Sequence, residues 1–163
     1  MDNNRKLIKM KKFEYVDGKW IKNWFSNFVY YEVPMEHEGI IYDTPEHFYQ
    51  AMKCLEKKHR IIIAQAPTPG ISKRLAKKLP LRPDWDEVKV RVMIRAIRHR
   101  LIYEDAWTEK LMATGKEEIV EWNNWHDKIW GKCICPKCGG NGTNLLGEVL
   151  MEIRTTLNEL EVP

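Results

Sequence analysis

Glu46, Tyr49, Gln50 and Lys53 recur at helical spacing, so an acid, a phenol, an amide and an amine share one face. An ordinary surface helix shows Lys and Glu to water without such order. Phe48, Ala51, Met52 and Leu55 fall on the opposite side, as a core stripe. Thr44 followed by Pro45 marks the start of this helix, read as 45–57. Exposed N–H groups at such a start favour anions. Together these groups suit the wall of a polar site.

A longer helix is expected over 85–103, with Asp84 as its cap. Trp85, Lys89, Met93, Ala96 and Ile97 share one arc of it, and Arg91, Arg95, Arg98 and Ile102 lie opposite. The arginines read as a solvated face. Lys89 stands inside the apolar arc, where an ammonium is expensive without compensation. It either snorkels, pairs with a carboxylate for structure, or serves a site as a phosphate holder or a nucleophile. Arg82, on the proline-framed loop before this helix, suits a phosphate or carboxylate fork; a plain surface arginine is the commoner alternative. Asp127 lies among tryptophans. Taken with Glu46 it completes a pair of carboxylates, the equipment for cleaving a glycosidic bond. One would stabilise a sugar cation or activate water while the other manages the proton.

Seven tryptophans in 163 residues is a high count, and five (Trp85, Trp107, Trp122, Trp125 and Trp130) lie in the second half. Core packing accounts for most of such rings; Trp85 and Trp125 are candidates to stack on a flat heterocycle. Cys133, Cys135 and Cys138 precede Gly139-Gly140, a CxxC knuckle of the zinc-binding kind. A structural zinc there needs a fourth ligand from Cys54, a histidine such as His126, or water. Free thiols in a stiff loop are the plainer reading. No cofactor is expected for the reaction itself.

The net charge of +4 is mildly basic, short of the footprint of a dedicated nucleic-acid binder. No apolar run is long enough to cross a bilayer and the polar start does not read as a secretory leader, so the cytoplasm is the expected location, with reduced cysteines. Residues 1–12 read as a flexible basic end and 13–163 as a single domain. Short strands are expected from Phe13, with a turn at Asp17-Gly18, and at 38–42. Further helices are expected at 60–65, 71–78, 106–113 and 143–160, with a short one at 116–121 and a loop over 122–142. The fold class is therefore mainly α (α+β), with a few short antiparallel strands.

Six blocks in order carry a resemblance: Ser26-Asn27-Phe28; Thr44 to Ala51 with Lys53; Pro80 to Trp85 with Val88-Lys89; Leu111 to Gly115; Asp127 with Trp130-Gly131; and Gly142 to Gly147 with Leu150-Met151 and Arg154. Together they resemble the NADAR (YbiA-like) family of N-glycosidases, from about Trp24 to Leu157. The resemblance implies a compact, mainly helical fold. It also implies hydrolysis of N-glycosidic bonds in ribose phosphates, either early riboflavin-pathway intermediates or ADP-ribosylated guanine in nucleic acid. Glu46 matches the family's acid, and Trp85 and Asp127 match further active-site positions. Ser26, Asn27, Lys53, Arg82, Lys89, Asn144 and Gly147 match positions expected to line the pocket.

The sequence thus points to an N-glycosidase in which Glu46 and Asp127 flank the anomeric carbon, with imine formation on a lysine as a variant. Two other classes compete: a nucleotide- or ADP-ribose-binding module without turnover, and a zinc-knuckle nucleic-acid binder using Cys133 to Cys138.

Overall fold

The computed structural model describes residues 24–160, together with the backbone of three strands before them, 7–10, 13–16 and 19–22. The chain divides into two compact units, Phe25–Thr108 and, from its two ends, Met1–Trp24 with Glu109–Pro163.

Within Phe25–Thr108, a hairpin comes first: β4 (Met35–His37) pairs antiparallel with β5 (Ile40–Tyr42), after β1 (Leu7–Met10), β2 (Phe13–Val16) and β3 (Lys19–Lys22) in chain order. Its turn is Glu38-Gly39, both with positive φ (53° and 73°), so the stretch read as one strand over 38–42 begins with a turn. Helix α1 (Pro45–Ala51) is capped by the Thr44 hydroxyl, which accepts from His47 N–H at 3.1 Å. All seven of its residues are buried, packed by α2 (Lys57–Ala64), α3 (Pro69–Ala76) and α4 (Trp85–Tyr103). Helix α1 stops six residues before the expected end at 57. Lys53 N–H bonds Gln50 C=O and Cys54 N–H bonds Ala51 C=O, tightening the last turn, and the Arg60 side chain takes the Cys54 carbonyl at 2.8 Å. Lys53 therefore sits in the turn after the helix, and Leu55, expected in the core, is 58% exposed.

Helix α4 matches the expected 85–103 and buries Trp85, Met93, Ala96 and Ile97 as the arc predicts. It also buries Arg100, which pairs with Glu104 and donates to Val29 C=O. Arg91, Arg95, Arg98 and Ile102 are exposed, as expected for a solvated face.

In the other unit, β1, β6 (Glu118–Asn123) and β7 (Lys132–Cys133) form a parallel sheet in the order β1-β6-β7. The short helix expected over 116–121 is replaced by β6. Ile119 and Val120 are fully buried there, and β-branched residues in a buried ladder favour strand over helix. Leu7–Met10 falls in the stretch read as flexible; its backbone pairs with Glu118–Glu121, a partner more than 100 residues away that local sequence cannot reveal. β2 and β3 pair as the expected hairpin; Asp17-Gly18, residues 1–6 and residues 11–12 lie outside the described residues. Helix α6 (Leu145–Leu160) packs on β6 and buries Leu146, Gly147, Val149, Leu150 and Arg154. Between β6 and α6 the expected loop contains β7. Helix α5 (Asp105–Ala113) lies where 106–113 was read. Among the described residues, six helices and seven short strands give an α+β fold weighted toward helix.

Candidate active site

Glu46 is 6% exposed, in the first turn of α1. Its backbone N–H donates to Asn27 C=O at 3.0 Å, which ties α1 to the Ser26–Val29 turn. The Asn27 amide in turn donates to Met93 Sδ of α4 at 3.4 Å. Ser26 closes its own turn, its Oγ accepting from Phe28 N–H at 3.3 Å. One helical turn beyond the acid, Gln50 Nε2 donates to Glu46 Oε1 at 2.8 Å. Gln50 is 2% exposed, and its Oε1 has no hydrogen-bond partner among the described residues. A buried amide oxygen left unpaired beside a buried acid is the kind of acceptor a ligand hydroxyl satisfies. Burial pushes the Glu46 carboxyl above the usual carboxylate range; Lys73, the Gln50 hydrogen bond, Lys53 and His47 pull the other way without cancelling it. His47 has a separate, structural role. Its Nε2–H donates to Ala66 C=O at 2.9 Å, and Nδ1 meets the Thr44 hydroxyl at 2.8 Å.

Beside the acid stands an aromatic wall. Tyr49 and Trp85 meet edge to face, with ring centroids 5.0 Å apart. Lys53 Nζ lies 5.4 Å from the Tyr49 centroid and 5.7 Å from that of Trp85. Arg82 N–H donates to Lys53 C=O at 2.7 Å, joining the proline-framed loop to the turn after α1. The Arg82 guanidinium grips Asp84 with two hydrogen bonds, 2.6 and 2.9 Å. Asp84 stands at the N-cap position of α4, but its carboxylate serves Arg82 and caps no helix N–H. Lys89 Nζ donates to Asp86 Oδ1 at 2.6 Å, the carboxylate pairing weighed from sequence.

Asp127 belongs to the other unit. Its Oδ1 accepts from Ile129 N–H (3.1 Å) and Trp130 N–H (2.9 Å), and Asn123 bonds its backbone on both sides. The side chain thus shapes the loop that leads to Gly131. Asn144 has φ +54° and is 1% exposed. Its Oδ1 accepts from Glu121 N–H and its Nδ2 donates to Ile119 C=O, each at 2.9 Å, so both ends of the amide bind β6. Gly147 lies against the same strand: a Cβ there would sit 2.1 Å from the Ile119 carbonyl oxygen. Trp125 is 57% exposed.

On the same loop, His126, Cys133, Cys135 and Cys138 bring their donor atoms within 4.8 Å of one another, a group able to hold a metal. Cys54, another fourth-ligand candidate, is not a member of this group; it is buried just past α1. Burial pushes the Cys138 thiol up to about 11, aided by the Cys135 and Cys133 thiols. Burial acts the same way on Cys133, but hydrogen bonds from Cys135, His126 and Cys138 outweigh it and hold that thiol below its usual value.

The family model of the NADAR domain matches residues 13–158. The chain belongs to the NADAR domain family. An "N-glycosidase YbiA" of Shigella boydii is 35% identical over 137 residues, covering 82% of this chain and 80% of that protein. "N-glycosidase Npun_R5314" of Nostoc punctiforme is 34% identical over 83% of this chain and 86% of its own length. The solved structure of the E. coli protein YbiA superposes with a TM-score of 0.75 at 31% identity, covering 98% of this chain and 90% of the other.

In this NADAR domain, Ser26, Asn27, Glu46, Tyr49, Gln50, Lys53, Arg82 and Trp85 all come from the unit Phe25–Thr108, as does Lys89. Asp127, Trp125, Asn144 and Gly147 come from the other unit. Lys73 of α3 was not among the residues singled out from sequence, yet it leads the charges that act on Glu46. The basic character of α3 was legible; its facing of Glu46 arises from the packing of α1 on α3, which no local spacing encodes. His126 joins the cysteines as one of the fourth ligands considered.

Proposed function

We propose that this NADAR domain hydrolyses the N-glycosidic bond of a ribose phosphate, with Glu46 handling the proton at the departing nitrogen. The observation that carries this reading is Glu46 itself: a buried acid, held above its usual range, beside an unpaired amide acceptor, two lysines and an aromatic wall. Family membership and the N-glycosidase names of relatives sharing about a third of its residues support the reaction class. A carboxyl with a raised pKa keeps its proton in the range where an ordinary one has lost it, and so acts as a general acid.

In the proposed reaction the base stacks on Trp85, the phosphate meets Lys53 and Lys73, and a ribose hydroxyl donates to Gln50 Oε1. The C1′–N bond breaks with its electron pair on nitrogen, which takes the Glu46 proton. Positive charge develops on the ribose as the bond loosens. Water oxygen then bonds C1′, and the proton it releases restores the acid. The products are a free base and a ribose phosphate.

A riboflavin-biosynthesis intermediate is the substrate we favour. "Riboflavin biosynthesis protein VVA0006" of Vibrio vulnificus matches 80% of this chain at 28% identity, over 35% of its own length. ADP-ribosylated guanine in nucleic acid is the second reading. It is favoured by the exposed Arg91, Arg95 and Arg98, which line an open groove with His99 and Tyr103 and suit backbone phosphates. No helix among the described residues is long and apolar enough to cross a membrane. A cytoplasmic location fits the unpaired state of all four cysteines.

Chromatography of the products formed from both substrate types tests the reading. Release of free base from one of them is expected. Tight binding with no released base would establish the binding module instead. Borohydride added during turnover should leave the protein mass unchanged; an adduct on Lys89 or Lys53 would replace the water route by imine formation.

A further inference from the structure

The loop between β6 and α6 holds a group of side chains that the proposed hydrolysis does not use. His126 Nδ1 lies 3.3 Å from Cys138 Sγ and 3.4 Å from Cys135 Sγ, and all four donor atoms of the group fit within 4.8 Å. A tetrahedral ion with Zn–S bonds of about 2.3 Å and a Zn–N bond of about 2.0–2.1 Å sets its ligands roughly 3.5–3.8 Å apart. The two sulfur–nitrogen distances match that edge within about 0.2 Å.

The backbone is arranged for the same end. Cys138 N–H and Gly139 N–H both donate to Cys135 C=O (3.0 and 2.9 Å), folding the CxxC into a tight turn. Gly140 N–H returns to Cys133 C=O at 2.8 Å, which brings the strand cysteine against the turn. Gly139 and Gly140 take φ +60° and +86°, values open to glycine. His126 takes φ +67°, a left-handed conformation uncommon for a side chain of its size. That conformation sets its ring against Cys135 and Cys138. Cys133 is fully buried and Cys138 is 4% exposed, so a bound ion is shielded on the protein side.

We propose that His126, Cys133, Cys135 and Cys138 form a closed, structural zinc site that clamps the loop between β6 and α6. Four protein ligands leave no open coordination position, so the ion braces the chain and activates no water. Soft thiolates with one imidazole select zinc over magnesium or calcium. The clamp joins three pieces of backbone: the turn carrying His126, the end of β7, and the knuckle 135–138. Asp127 follows His126 directly, so its loop is fixed by the same ion. The inference concerns the metal alone and holds whatever reaction the domain catalyses.

Elemental analysis of the untagged full-length protein, purified under reducing conditions, gives the first test. One zinc per chain is expected. Zinc titrated into chelator-stripped protein should bind with 1:1 stoichiometry in competition with a chromogenic chelator and raise Tm. Cobalt(II) in its place should give the intense visible bands of a tetrahedral sulfur-rich site. His126→Ala should weaken binding at least tenfold while keeping sulfur-to-cobalt charge transfer, and Cys138→Ser should weaken it more. Wild-type protein that takes up no zinc from the competition mixture would overturn the proposal, as would a Cys138→Ser protein that binds zinc as tightly as the wild type. Loss of two mass units on purification, the mark of a disulfide within the cluster, would overturn it also.

Discussion

Gln50 donates its amide N–H to the Glu46 carboxyl across one turn of α1, 2.8 Å away, while its own oxygen stays buried without a partner among the described residues. A helix offers this contact at i and i+4. What makes it more than a surface pair is burial: Glu46 is 6% exposed and Gln50 2%, so the hydrogen bond and the unsatisfied oxygen both weigh more than they would outside. Substrate that brings a hydroxyl to this oxygen removes a desolvation penalty of about 1–3 kcal/mol.

The raised Glu46 carboxyl has a thermodynamic signature. A group that holds its proton more tightly folded than unfolded stabilises the fold at low pH, and that contribution is lost as pH rises through the raised value. Thermal melts from about pH 4 to about pH 8 should therefore show Glu46→Gln gaining on the wild type as pH rises. A gap that stays constant would mean the acid ionises as it does in water.

Lys73 should act on the same group from α3. Lys73→Met removes the leading charge that pulls the Glu46 carboxyl down, so the alkaline limb of kcat/KM should move to higher pH. It also removes a proposed phosphate contact, for which a roughly tenfold rise in KM is expected. Lys89→Met, which breaks only the exposed pairing with Asp86, should change either parameter by less than about threefold. Steady-state kinetics of the two variants across pH decide the point.

Asp127→Asn separates shape from charge. Asparagine keeps the oxygen that accepts from Ile129 and Trp130, so Tm should be unchanged. With the loop held by the same oxygen, kcat should be unchanged as well. A fall of about a hundredfold or more with Tm intact would give the carboxylate charge a part in the reaction.

Gly147→Ala should destabilise the unit built on β6. The new methyl would fall 2.1 Å from a backbone oxygen and close to the Asn144 amide, neither of which can yield without disturbing β6. A loss of about 3 kcal/mol is expected from such overpacking, read as a fall in the denaturation midpoint.

Much of the helical frame was legible because helices announce themselves locally. The apolar arc of 85–103 and the buried side of the helix read at 143–160, observed as Leu145–Leu160, each carry their period in the sequence. The first helix was read too long because its end is set by partners elsewhere: Arg60 takes the Cys54 carbonyl, and Arg82 takes that of Lys53. Neither bond has a local signature. The strand Glu118–Asn123 was misread for a similar reason, since its neighbours β1 and β7 lie far before and just after it. In the candidate site, Glu46, Tyr49, Gln50 and Lys53 were visible as a pattern, and the structure keeps the first three on α1 with Lys53 in the following turn. Asn144 and Gly147 were read as pocket residues through the family resemblance. Their side-chain amide and absent Cβ are accounted for by close contact with β6. Lys73 escaped notice because its link to Glu46 exists only once α3 packs on α1.

The most direct test of the account is the rate at which Glu46→Gln releases free base from a ribose-phosphate N-glycoside, measured beside the wild type at saturating substrate. Glutamine fits the same buried space and keeps a partner for Gln50, but it has no carboxyl proton to give. A fall in kcat of about 10²–10⁴-fold is expected, with Tm at or above that of the wild type at the assay pH. Base release at the wild-type rate by the folded variant would contradict it.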